Sequence, residues 1–237
     1  MIATTHLDEL TTVGLPNPFG VNYVKAGAAF LWQELYEFLD THGLYCIGGR
    51  DWGIGSSLLL GGGMSYFSGF RGWAANNIVN VEMVLANGSL VEVNNETAPD
   101  LFWALKGGTN NFGIVTRYDL LTFKANLVFG GSVSWAPENT QKYLDAQTAF
   151  ILPGGGSEDP KAAIMPNFEY VPQTKQNASG ATLFYSSPVI NPQALENFTS
   201  IPVIAGSLSL RNLTGILSTT TGFAPRTHRF VTRKAVI

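Results

Sequence analysis

Seven of the sixteen positions from Gly48 to Gly63 are glycine, in the order Gly-Gly-Arg-Asp-Trp-Gly-Ile-Gly-Ser-Ser-Leu-Leu-Leu-Gly-Gly-Gly. Glycine costs about 0.5–1 kcal/mol of backbone entropy in regular structure, so packing alone is a poor reason for such a run. Its chemical use is close approach. Backbone without Cβ atoms can touch a ligand, and successive N–H groups can converge on an anion. A dinucleotide diphosphate meets that description, and so does a glycine-rich turn between strands.

Three better-known templates fail on this segment. A P-loop requires Lys-Ser/Thr after its last glycine, and Met64-Ser65 stands there. A Rossmann fingerprint requires a third glycine where Leu58 follows Gly53-Ile54-Gly55. A nucleophile elbow, G-x-S-x-G, is broken because Gly63-Met64-Ser65-Tyr66 continues with Phe67. The best remaining physical reading is a dinucleotide site of another kind, with a glycine-rich turn between strands as the alternative.

The elements around the segment are legible from pattern. Leu31, Leu35, Phe38 and Leu39 form one apolar stripe, so residues 29–42 read as a helix closed by Gly43. Leu44 to Ile47 reads as a short buried strand. Residues 77–94 read as a hairpin across Asn87-Gly88. A short helix follows, with Thr97 as candidate N-cap, Pro99 in its first turn and Gly107-Gly108 at its end. Residues 112–123 return as a strand. Beyond about residue 125 the texture changes: a helix over 137–149, a break at Gly154-Gly155-Gly156, and strand-like stretches near 162–171, 181–187 and 206–211. Turns at Pro172, Pro188 and Pro192 separate some of them. The division is therefore drawn at 1–125 and 126–237.

Composition narrows the class. The 237 residues carry 14 Lys+Arg and 17 Asp+Glu for a net charge of −3, with no basic cluster, so nucleic acid is not an expected partner. The longest apolar run, Leu58 to Gly63, is too short for a bilayer, so no membrane is expected either. Charged residues make up 13%, about half the roughly 25% of ordinary domains. Such a chain either embraces a large ligand or lacks a surface that covers it. Cys46 is the single cysteine, which excludes an intrachain disulfide and a thiolate metal cluster, and its apolar neighbours mark it as core. No signal peptide opens the chain. Five N-x-S/T sequons, at Asn87, Asn95, Asn177, Asn197 and Asn212, nonetheless hint at a parent protein in the secretory pathway, with its leader upstream.

The motifs in order carry a specific likeness. Leu58-Leu-Leu-Gly-Gly-Gly63 is followed by Ser65-Tyr-Phe-Ser-Gly69, Gly72-Trp-Ala74, Asn77-Ile-Val79 and Leu85-Ala-Asn-Gly88. Pro99-Asp-Leu-Phe-Trp-Ala-Leu-Lys-Gly-Gly108 and Asn111-Phe-Gly-Ile-Val-Thr116 complete the series. It resembles the second half of the FAD-binding domain in the berberine-bridge-like oxidoreductases of the PCMH-type, vanillyl-alcohol-oxidase superfamily. The resemblance is close over residues 20–125 and looser over 125–230.

It implies an α+β fold: the second part of a PCMH-type FAD-binding domain, then an incomplete mixed α/β substrate domain. It implies FAD as cofactor, a small-molecule substrate oxidised by hydride transfer to flavin, and O2 as acceptor. Gly53, Gly55, Gly61, Gly62 and Gly63 would line the cofactor, and Gly113, Ile114 and Val115 would sit near its adenosine end. Plain strand core is the competing reading for Ile114 and Val115. Core packing is expected for Trp73, Phe102 and Trp103.

There are departures from the family pattern. Ser56-Ser57 add one residue between Gly55 and Gly61, Thr109 stands where a third glycine is usual, and Asn76 replaces a frequent Asp. Gly49 occupies the position of the flavin-linking cysteine, so a cysteinyl link is not expected. The family's histidine loop would precede Leu7 and its C-terminal return would follow Ile237. No catalytic residue is assigned. His6 reads as surface, His42 as a helix cap, and no site is read around His228. Tyr170 and Glu169 are candidate lining residues at most. The rival expectation is a truncated or non-catalytic fragment without bound flavin.

Overall fold

The computed structural model describes residues 4–171 and 175–220. Two antiparallel sheets divide them. In chain order the first part contains β1 (Leu10–Val13), β2 (Tyr23–Gly27), α1 (Trp32–Thr41), β3 (Leu44–Cys46), α2 (Ser68–Arg71), β4 (Ile78–Val84), β5 (Leu90–Val93), α3 (Pro99–Leu105) and β6 (Ile114–Lys124). The strands pair in the order β1-β2-β6-β4-β5, with β3 on another stretch of β6. β6 is long enough to serve three partners. Val24, Ala26, Ile78, Val81, Met83 and Tyr118 turn one face of this sheet into the core. Trp32, Leu35, Tyr36 and Leu39 bury one face of α1 against it, at the spacing of successive helical turns. Glu34 accepts the backbone N–H of Leu31 and so satisfies a free donor at the helix start. At the other end His42 caps: its Nδ1–H donates to the Phe38 carbonyl at 2.9 Å, and Gly43 follows in the left-handed region.

The second part contains β7 (Val128–Trp135), α4 (Thr140–Ile151), β8 (Ala162–Val171), β9 (Gln176–Tyr185), α5 (Glu196–Thr199), β10 (Val203–Gly206), β11 (Ser209–Arg211) and α6 (Leu213–Leu217). Strand order is β10-β7-β9-β8, with β11 also on β7. α4 lies on one face, where Tyr143 and Phe150 pack against Val133, Trp135, Leu183 and Phe198. The two parts are joined by packing. Tyr66 and Phe184 stack with centroids 4.9 Å apart, and Ile216 and Leu217 of α6 complete the first core. Asp40 of α1 accepts from Asn212 Nδ2 at 2.9 Å and from Thr214 Oγ1.

Several expectations change. β7, which carries Gly130-Gly131, was not anticipated. In the sheet these glycines admit neighbouring backbone: a Cβ on either would lie about 2 Å from the carbonyl oxygen of Leu183 or Ser207, at 2.1 and 2.2 Å. The stretch expected at 181–187 is β9, beginning at 176, and that at 206–211 is two strands. Ala98, not Thr97, is the N-cap of α3. The Thr97 hydroxyl donates to Glu92 O instead, while Asn94 Oδ1 accepts the N–H groups of Glu96 and Thr97. The hairpin turn has three residues, Ala86-Asn87-Gly88, with Gly88 at φ 84°. Trp73 and Trp103 are not core: they are 51% and 81% exposed, whereas Phe102 is buried. Cys46 is fully buried and free, and burial pushes its thiol well up, as expected of a core residue. His6 is exposed. Pro172, His228 with Arg226, Arg229 and Arg233, and the side chain of Glu169 lie outside the described residues.

Candidate FAD-binding face

The glycine-rich segment divides into two kinds of glycine. Gly48 and Gly49 serve the core. A Cβ on Gly48 would lie 1.8 Å from Trp32 Cζ3, and one on Gly49 would lie 2.6 Å from Trp32 Cδ1. These two positions exist to seat the Trp32 indole, so the expectation that the whole run serves a ligand fails at its first two residues. Past them the chain turns outward. Asp51 is buried, and its Oδ1 accepts the N–H of Gly53 at 3.1 Å. Desolvation raises its pKa, opposed by the Gly53 and Trp52 N–H groups. Beneath it Tyr66 donates to Arg50 O at 3.2 Å, and burial pushes that phenol up to about 12.

Gly53 is exposed, and Gly55 is half-buried in an isolated bridge with Leu31. Ser56–Gly61 then forms a 3-10 turn, anchored by Ser56 Oγ donating to Ala28 O at 2.5 Å. Six residues at about 2 Å rise separate Gly55 from Gly61 by roughly 12 Å. Gly61 is exposed, and apart from its chain neighbours no atom of the described residues lies within 4 Å of where its Cβ would stand. Gly62 and Gly63 reverse the chain at φ 97° and 76°. Trp73 covers Gly62, while Gly63 is buried against Ala74 and Leu58.

The second strip of the face comes from the loop after α3. Leu60 O accepts from Gly107 N at 3.1 Å and from Thr109 N at 3.0 Å, which fastens that loop beside Gly61. Gly107 is exposed and likewise open at its Cβ position. Thr109, in the place of the family's third glycine, takes φ 58°. Gly113 opens β6 close under β4, where a Cβ would meet Val84 O at 2.5 Å. Ile114 then faces outward and Val115 inward, paired with Val84 and Met83.

The anticipated residues therefore separate. Gly61 and Gly62 lie beside the 107–109 loop, Gly53 and Gly55 at the far end of the 3-10 turn, and Gly63 and Val115 behind the surface. The N–H groups of Gly53 and Gly62 are bonded within the chain, to Asp51 and Leu59 O, so neither is a free anion donor. Sequence reasoning missed the exposed aromatics. The signal was present: Phe102 and Leu105, three apart, define the buried face of α3 and leave Trp103 outside it.

A flavin nucleotide fits such a face. Open glycine backbone at Gly61 and Gly107 allows close approach, and exposed Met64, Trp73, Phe112 and Ile114 offer apolar contact to flat rings.

Comparisons with known proteins bear on the family. The FAD binding domain family matches residues 20–94. The FAD-dependent monooxygenase prx3 of Penicillium roqueforti is 41% identical over 180 residues, covering 76% of this chain and 35% of that protein. The chain thus carries an FAD binding domain match over residues 20–94 and is similar to FAD-dependent oxidoreductases. FAD is the cofactor of this family. Its fold matches 6-hydroxy-D-nicotine oxidase from Arthrobacter nicotinovorans (TM-score 0.75, 17% identity, 90% of this chain and 46% of that one). It also matches the VAO-type flavoprotein MtVAO615 from Myceliophthora thermophila C1 (TM-score 0.73, 21% identity, 94% and 42%). The chain thus spans about a third of prx3 and less than half of these solved structures. Among the described residues no helix is long and apolar enough to cross a membrane, and no group of His, Cys, Asp or Glu could hold a metal.

Proposed function

We propose that this chain supplies one wall of the FAD cradle, and the start of the substrate domain, of a berberine-bridge-like oxidoreductase acting on a small organic molecule. The observation carrying this reading is the exposed strip of Gly61 and Gly107, joined through Leu60 O and bordered by apolar side chains. Gly53, Gly55, Gly61 and Gly62 would lie along the cofactor. Gly113 and Ile114 would meet its adenosine end, with Gly63 and Val115 supporting from behind. When bound, FAD supplies the two-electron acceptor for a hydride leaving the substrate, with O2 as the proposed final acceptor. The chain's own part is to orient the cofactor and exclude water. Residues 1–125 would form the FAD portion and 126–237 the substrate portion. Tyr170 is exposed on β8 and shares with Phe168 the face turned to α4, where Phe168 stacks on Tyr143, so it is a weak candidate for substrate contact.

All five sequon asparagines are exposed, which supports glycosylation of a secreted parent. Asn212 is the least available, because its amide caps α6 and bonds Asp40. Secondary metabolism is the proposed setting; the printed name of prx3, an FAD-dependent monooxygenase, supports FAD-dependent oxidation.

A second reading, a non-catalytic fragment, is favoured by the exposure of Trp73 and Trp103, which suits a chain whose covering partner is elsewhere. One preparation separates the two. Purified protein mixed with FAD and passed through gel filtration is expected to carry flavin absorbance with the protein peak. Colourless protein after that treatment refutes the cradle and supports the fragment.

A further inference from the structure

Lys106 stands next to the face described above, and among the described residues it has no carboxylate partner. Lys106 closes α3 immediately before Gly107, whose N–H is tied to Leu60 O beside open Gly61. Its ammonium lies 3.9 Å from the centroid of the buried Phe102 ring. The side chain is only partly exposed, and no carboxylate answers it: the salt bridges among the described residues all belong to Arg117. Burial pulls the Lys106 pKa down, as for an ammonium short of counter-charge. A helix C-terminus favours a cation, but it does not require one to be half-buried against an aromatic ring.

We infer that Lys106 is the counter-cation for the diphosphate of the dinucleotide at the Gly61–Gly107 strip. This rests on the proposed cradle and goes beyond it by assigning the charged group. A diphosphate is the part of FAD that needs a cation, and riboflavin lacks it. The glycines on either side of Leu60 let the phosphate oxygens approach backbone, while Lys106 provides the charge that the internally bonded N–H groups of Gly53 and Gly62 do not.

The test compares FAD, ADP and riboflavin binding, by calorimetry or flavin fluorescence, to the wild-type chain, Lys106→Met and Lys106→Arg. FAD and ADP affinity should fall tenfold or more in Lys106→Met, riboflavin binding should stay within twofold, and Lys106→Arg should recover most of the loss. Unchanged FAD affinity in Lys106→Met, with wild type binding FAD, overturns the Lys106 assignment and leaves the cradle standing. Equal losses for riboflavin and FAD overturn it as well, since the damage is then not to phosphate recognition. If wild type binds neither FAD nor ADP, both proposals fall. A measurement on the unaltered chain guards against a misfolded variant: ADP, but not adenosine, should protect Lys106 from amine acylation, and equal labelling with and without ADP overturns the assignment.

Discussion

Gly48-Gly49 and the pair Gly61/Gly107 look alike as sequence and differ in what surrounds them. The first two are filled from inside by the Trp32 ring, whereas the second two have, among the described residues and chain neighbours aside, nothing within 4 Å of their missing Cβ atoms. Gly130-Gly131 in β7 belong with the first kind, since strand backbone occupies their space. Glycine enrichment therefore has two physical causes. Close approach to another part of the same protein yields stability, and close approach to open space leaves room for a ligand.

Substitutions can break that comparison. The largest effect is expected at Gly48→Ala, where the new methyl overlaps an indole fixed in the core. Overpacking of this kind costs about 1–3 kcal/mol or more, and chemical denaturation should show a matching loss. A wild-type denaturation midpoint in this variant would mean that Trp32 does not occupy the space the structure gives it. Next comes Gly61→Ala. Here the methyl meets no atom of the described residues beyond its chain neighbours, so stability should change by no more than about 0.5 kcal/mol. FAD affinity should nevertheless fall about tenfold, close to 1.4 kcal/mol. Unchanged affinity would remove Gly61 from the cofactor face.

The smallest effect sharpens the comparison at a residue that is not glycine. Thr109 holds a left-handed conformation that costs an L-residue roughly 1–2 kcal/mol. Glycine's larger unfolded-state entropy returns about 0.5–1 kcal/mol of any gain. Thr109→Gly should therefore stabilise by roughly 0.5–1 kcal/mol, seen as a small rise in Tm. A loss would show that the Asn111 to Thr109 side-chain contact outweighs the backbone strain.

The elements best read from sequence were those whose signals are local. The stripe Leu31, Leu35, Leu39 and the closing Gly43 mark α1, and Asn87-Gly88 marks the hairpin, because spacing and turn chemistry act over a few residues. β7 failed the same reasoning for a definite cause: its glycines answer to Leu183 and Ser207, which are dozens of residues away. Trp103 was misjudged because aromatic size was weighed above helical position.

The motifs from Leu58 to Thr116, read in order along the chain, carried the resemblance to FAD-linked flavoproteins and the α+β class it implies. Which glycines face outward was decided only in three dimensions. Trp32 fills the space at Gly48 and Gly49, Leu60 O brings Gly107 beside Gly61, and Lys106 is left without a carboxylate among the described residues. Contacts between residues far apart in the chain decide these things, and no window of sequence contains both partners.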